Sequence, residues 1–181
     1  MMQRFSPSQS AAEVLDSICT VHLGGELFAV RLTDVVEVMA AAQVQDCPLS
    51  PAYISGLVHY RGDVLTVVNL RVLLMGLAAS TPVEDHAITM VMAGVHGLFA
   101  MQVEGMGEVR ALKPALLESV PMMMNAERHS FLRGVYKLDS GLLPLLDVQR
   151  LEPVALRAWT VAHMHAAIAV GSDAPQGSIA V

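Results

Sequence analysis

Gly56–Leu77 reads GLVHYRGDVLTVVNLRVLLMGL, and its punctuation decides the fold. Leu57–Tyr60 is a short apolar run, Arg61-Gly62-Asp63 interrupts it, and Val64–Leu70 resumes it. Two β-rich runs parted by a glycine-containing turn specify a hairpin. Gly62 can take the positive φ that residues with a Cβ resist.

A second copy lies downstream. Gly134–Leu151, GVYKLDSGLLPLLDVQRL, lies on Gly56–Leu73 without a gap at an offset of 78 (134 − 56). Val67-Val68 meets Leu145-Leu146, Asn69 meets Asp147 and Leu73 meets Leu151. Leu27–Val30 aligns with Leu98–Met101, and Glu37-Val38 with Glu108-Val109, at an offset of 71 (98 − 27). The order A-B-A′-B′ predicts a duplicated β unit and two small barrels. The expected extents are 1–17 for a tail with a short helix at Ala11–Ser17, 18–77 and 86–151 for the two halves, and 152–181 for a C-terminal helix and mobile tail.

Outward from the central hairpin, Gly24-Gly25 joins Ile18–Leu23 to Glu26–Leu32 as a hairpin, and Asp34–Met39 follows as a third strand. Cys47–Pro51 is extended, because a proline disfavours helix in the residue before it. Pro51–Ser55 is expected to form one helical turn ended by Gly56, and Arg71–Leu77 a short helix stopped at Gly76. Ala78–Asp85 is a small, polar linker. Ala87–Ala93, Leu98–Val103 and Gly107–Ala111 repeat the strand pattern. Lys113–Val120 holds a helical turn, and Met122–Met124 forms either a greasy partner surface or a capping loop. Pro153 and Gly171 bound an alanine-rich helix over Val154–Val170.

Composition narrows the function classes. The 181 residues are 54% hydrophobic and 15% charged, so a core is easily filled and some apolar surface is left to meet a partner. The net charge is −6 and the 11 Lys and Arg form no basic run, which argues against nucleic acid. Cys19 and Cys47 lack any zinc or CxxC spacing, and a reduced cytoplasmic setting fits them. Met1–Ser10 is polar, unlike a signal peptide. Ala87–Val103 has no Asp, Glu, Lys or Arg, but 17 residues of helix reach only about 25 Å of a roughly 30 Å bilayer core. Two strands with a turn at Gly94–Gly97 account for it, and no direct membrane insertion is expected.

No catalytic or cofactor spacing is present: no phosphate-binding loop, zinc-protease motif or nucleophile elbow. His163 and His165 fall on different faces of the C-terminal helix, and His59 is expected to face outward. No metal, cofactor or catalytic residue is therefore expected. Arg61 is either an anchor that reaches a carboxylate, a carbonyl or a partner with its planar head, or an exposed turn residue. Glu37 either contacts a partner or faces water.

The motif order resembles the CheW family, the bacterial coupling proteins of chemosensory arrays. Gly56–Leu70 looks like that family's signature, with Thr66 in place of its usual proline and Asn69 in place of its aspartate. Glu26–Val38, Pro48–Tyr53 and Leu132–Val135 are similar to its other landmarks. The resemblance implies a mainly β fold of two small SH3-like five-stranded barrels with short helices and a C-terminal helix. It implies a non-enzymatic adaptor between the regulatory domain of a CheA-type histidine kinase and the cytoplasmic tip of a methyl-accepting chemoreceptor. It implies partner contacts at Val30, Leu32, Val35, Val36, Glu37, Val38, Arg61, Gly62 and Val103. With Asn69 uncharged, an ion pair from that position to Arg61 or Arg71 is not expected. A small β-barrel enzyme or ligand binder is the alternative, and it requires polar groups that converge in a pocket.

Overall fold

The computed structural model describes residues 15–40, 42–76, 87–121, 129–152 and 154. The Ala78–Asp85 linker, Met122–Met124 and the helix and tail expected beyond Val154 lie outside the described residues. Among the described residues eleven strands form two sheets: β1 (Asp16–Leu23), β2 (Glu26–Arg31), β3 (Val35–Met39), β4 (Ile54–Tyr60), β5 (Asp63–Asn69), β6 (Ile88–Ala93), β7 (Leu98–Val103), β8 (Gly105–Leu112), β9 (Leu117–Glu118), β10 (Leu132–Leu138) and β11 (Gly141–Leu146). A short helix, α1 (Leu70–Met75), follows β5. The six-stranded sheet runs β8-β1-β2-β11-β10-β9, and the five-stranded sheet runs β3-β6-β7-β5-β4. This is the expected mainly β architecture of two SH3-like subdomains. Among the described residues each is a curled open sheet rather than a closed ring of ladders.

The two offsets read from the sequence are preserved residue by residue in the ladders. In β4–β5, Ile54 faces Val68, Gly56 faces Val67 and Leu57 faces Thr66. In β10–β11, Leu132 faces Leu146, Gly134 faces Leu145 and Val135 faces Pro144, each 78 positions on, and the bulge recurs at the same step. Thr66 thus keeps the register that Pro144 holds in the other copy. In β1–β2, Cys19 faces Val30 and Val21 faces Phe28. In β6–β7, Met90 faces Met101 and Met92 faces Phe99, each 71 positions on.

The repeats are units of sequence and not of folding, which corrects the assignment of one barrel to 18–77 and the other to 86–151. The third strand of each repeat crosses over: β3 pairs with β6 of the second repeat, and β8 pairs with β1 of the first. The central hairpins cross as well, since β5 runs parallel to β7 and β11 parallel to β2. Each sheet therefore contains strands from both halves of the chain.

Strand alternation then divides the core in three. Cys19, Val21, Phe28, Val30, Met90, Met92, Phe99 and Met101 point from both sheets into one shared cluster. The intervening Ile18 and Ala29 fill the six-stranded sheet with Tyr136, Leu143 and Leu145. Val91 and Ala100 fill the five-stranded one with Val58, Tyr60, Leu65 and Val67. Cys19 is fully buried, as a small hydrophobe in its strand pattern should be.

Local chemistry sets the ends. Asn69 caps α1 by accepting the Val72 N–H at 3.1 Å, and Gly76 ends it in a left-handed conformation. At the equivalent point Asp147 accepts the Gln149 N–H at 3.1 Å ahead of a helical turn over 148–152. The job at this position is a cap, which asparagine performs without charge.

Three local expectations are corrected. Asp16 and Ser17 begin β1 rather than ending a helix. Pro51–Ser55 is not a helical turn, because the Ile54 N–H closes a β-turn on the Pro51 carbonyl at 2.8 Å and β4 starts at once. Gly56 is not a helix stop but a bulge residue at φ 145°, where a Cβ would collide with the Gln45 carbonyl. The Gln45–Leu57 bridge presses on the strand there, so only glycine fits.

Candidate functional site

The tip of the β4–β5 hairpin is a two-residue turn with φ of 51° at Arg61 and 95° at Gly62. Positive φ at both centres is the type I′ geometry that matches strand twist. It suits Gly62, whereas Arg61 sits where an L side chain costs about 1 kcal/mol. The turn carries its arginine across the open side of the sheet to β3. Arg61 Nη2 donates to Glu37 Oε2 at 2.7 Å, and the Tyr60 hydroxyl donates to the same oxygen at 2.9 Å. The guanidinium also lies 5.1 Å from the Tyr60 ring centroid. β3 and β4 are the two edges of the five-stranded sheet. Glu37, Tyr60 and Arg61 therefore fasten edge to edge where no ladder does.

This arrangement contains both readings of Arg61. Its side chain remains 74% exposed while one nitrogen is anchored. An ion pair so exposed is worth only about 0.2–1 kcal/mol, so most of the guanidinium is free for another molecule. Gly62 is exposed beside it. Glu37 does not simply face water, because it is the acceptor that holds the tip.

The nine residues implied as partner contacts fall into three groups. Val36 and Val38 are exposed on β3 at 45% and 40%, and with Glu37, Arg61 and Gly62 they line one edge of the five-stranded sheet. Leu32 and Val35 are half-buried and pack on the shared core beneath that edge. Val30 and Val103 are buried at 0% and 2% and belong to the core itself. No partner can touch those two side chains while the sheets stay together, and they are corrected here to supporting positions. His59 is exposed, as its place in β4 predicted.

Exposed apolar residues recur at the repeat offsets. Val38 has Val109 as its counterpart 71 positions on, and Val64 has Leu142 78 positions on, all four exposed. The molecule thus presents an apolar strand edge and an apolar hairpin tip twice over.

A cavity of about 480 Å³ lies between β8 and the β10–β11 turn, with Arg110, Lys137 and Asp139 on its wall above Leu112, Leu116 and Leu138. It offers a single carboxylate and no paired base. Among the described residues no cluster of His, Cys, Asp and Glu could hold a metal.

Two charged arrangements were not foreseen. The Tyr136 hydroxyl donates to Asp16 Oδ2 at 2.8 Å, and burial followed by that bond pushes the phenol up to about 12. Glu152, 1% exposed, accepts the backbone N–H groups of Val95, His96 and Gly97 at 2.7, 2.6 and 2.9 Å. The sequence carries no local signal for either, because the partners are 120 and about 56 positions apart.

Residues 17–153 match the model of the CheW-like domain family. The probable chemotaxis protein CheW of Rhizobium etli is 25% identical over 132 residues, 72% of this chain and 83% of that protein. Chemotaxis protein CheW of Rhizobium meliloti is 26% identical over 134 residues, 73% of this chain and 84% of that one. The crystal structure of the scaffolding protein TtCheW from Thermoanaerobacter tengcongensis matches with a TM-score of 0.67 at 19% identity, covering 75% of this chain and 91% of that one. That structural match is one of fold.

Proposed function

The chain belongs to the CheW-like domain family, and from that premise we propose that it is a non-enzymatic adaptor in a bacterial chemosensory array. It couples the cytoplasmic tip of a methyl-accepting chemoreceptor to the regulatory domain of a CheA-type histidine kinase. The observation that carries this reading is the family match over 17–153, which spans all of the two-sheet body but its first residue.

The geometry fits that role. The β3 edge offers Val36 and Val38 as apolar contacts and the free part of Arg61 as a directional donor. A receptor helix would lay aliphatic side chains against such an edge, as helix-in-groove contacts do. The hairpin tips carrying Val64 and Leu142 give apolar contacts for the kinase domain elsewhere on the surface. Individually modest contacts gain strength in an array by multivalency. The protein works in the cytoplasm, beneath the membrane that holds the receptors. Among the described residues no helix is long and apolar enough to cross a membrane.

The test is titration calorimetry with a cognate kinase regulatory domain and, separately, a receptor hairpin fragment. Saturable binding to both is expected, with no ATP turnover by the chain alone. Arg61→Glu is expected to weaken receptor binding about tenfold, the ~1.4 kcal/mol scale of one interfacial charge. Absence of binding to either partner by the folded protein would overturn the reading.

A further inference from the structure

Duplication makes each half of the chain a control for the other. In the five-stranded sheet the space between β3 and the β4–β5 tip is filled and closed. Met39, at the end of β3, packs with Ala42 and Val44 against the cluster that holds Val58, Tyr60 and Leu65. Tyr60 and Arg61 then both reach across to Glu37. In the six-stranded sheet the corresponding space is the cavity of about 480 Å³ between β8 and the β10–β11 tip.

The repeat offsets explain why it stays open. Met39 is matched by Arg110 at the offset of 71 (110 − 39). Tyr60 and Arg61 are matched by Leu138 and Asp139 at the offset of 78 (138 − 60). The ladders agree, because Met39 faces Thr89 while Arg110 faces Ile18, again 71 apart (89 − 18). An apolar plug has become a guanidinium. At the tip, neither a leucine nor a carboxylate has a proton to donate to Glu108, the counterpart of Glu37. The clasp of the first half therefore cannot form in the second.

Arg110 lies on the inner face of its sheet, opposite Ile18 and two residues before Leu112, both members of the Tyr136 core. It is half-buried, and among the described residues neither it nor Asp139 has an ion-pair partner. Lys137, by contrast, is 69% exposed and lies 3.7 Å from Glu118. The cavity thus sets one uncommitted guanidinium over an apolar floor of Leu112, Leu116 and Leu138. Its volume falls within the roughly 300–1,000 Å³ of small-molecule sites.

We propose that this cavity binds a small amphipathic monocarboxylate, with its apolar body on the three leucines and its carboxylate on Arg110. The planar fork of arginine matches a carboxylate with two parallel hydrogen bonds. Charge narrows the class further. Lys137 is balanced by Glu118, and Asp139 stands on the same wall, so a phosphate or a dicarboxylate meets repulsion that a single carboxylate on Arg110 avoids. The first half cannot take such a ligand, because Met39 and the Tyr60–Arg61–Glu37 clasp occupy the equivalent space.

The test uses the full chain without any partner protein, so its outcome is independent of the adaptor reading. Amide chemical shifts are followed during titration with sodium hexanoate, with hexylammonium chloride and sodium phosphate as parallel probes at the same ionic strength. Saturable shifts are expected at Leu112, Leu116, Leu138 and Ser140 with hexanoate, and none there with the other two at equal concentration. Arg110→Met, which installs the residue of the first repeat, is expected to weaken hexanoate binding about tenfold. If that variant does not fold, Arg110→Gln takes its place with the same expected loss. Absence of saturable shifts with hexanoate would overturn the proposal. So would equal shifts with hexylammonium or phosphate, or undiminished hexanoate binding in the neutral variant.

Discussion

Arg61 is held by its side chain in a backbone conformation that its own Cβ opposes. Separating the two effects needs two substitutions. Arg61→Asn is expected to leave stability within about 0.5 kcal/mol, because asparagine tolerates the left-handed region and only an exposed ion pair is lost. Arg61→Glu keeps the backbone strain and sets a second carboxylate against Glu37, and it is expected to cost about 1–2 kcal/mol. Urea denaturation of the two variants checks the order. Glu152 makes the opposite case, a residue whose charge is entirely inside. Burial pushes its carboxyl pKa up, but the His96 and Val95 amides and the His96 ring outweigh this, and the net displacement is downward from 4.5. A carboxyl depressed in the folded state contributes its full stability above the unfolded value and loses it as pH falls through the folded one. Glu152→Gln is therefore expected to cost about 1–3 kcal/mol at neutral pH, and the gap from the unaltered chain should narrow below about pH 4.5. Denaturation midpoints measured across that range test the sign.

At the scale of strands and turns, the hairpins were the most legible part of the sequence. Gly24-Gly25 and Arg61-Gly62 are local signals, read within a few residues, and both turns form as read. The register identity between β4–β5 and β10–β11 was legible too, because an ungapped repeat forces equal ladders. Gly56 was misread because its reason for being glycine lies elsewhere. The Gln45 carbonyl that crowds it arrives from a segment with no periodicity of its own. The same distance defeats any reading of Glu152. Burial of Val30 and Val103 was implicit in their strands, but a family likeness at the level of segments does not say which side chain points outward. Gly56→Ala should destabilise by about 2 kcal/mol or more, since it meets both a positive φ and a backbone oxygen. Gly62→Ala, with open space around it, should cost only about 1 kcal/mol. Thermal melting of the pair distinguishes crowding from torsional cost.

For the molecule as a whole, the crossing of β3 and β8 between repeats makes each sheet depend on both halves of the chain. Neither 1–77 nor 86–181 retains a complete sheet when separated, since β3 loses β6 in one and β8 loses β1 in the other. Each fragment expressed alone is expected to lack the near-ultraviolet circular dichroism of packed aromatic residues, and the intact chain to unfold in one urea transition. Two resolved transitions would contradict this dependence.

The strand exchange has a further consequence. Each repeat is divided between the sheets, β1 and β2 in one and β3 to β5 in the other, with β6 and β7 set against β8 to β11 in the opposite sense. Its two halves embrace as the subunits of a swapped homodimer would. Covalent fusion relieves such a pair of its symmetry. One copy of each surface, Val38 or Val109, Val64 or Leu142, can specialise without altering its sibling. One chain so built carries two versions of the same face.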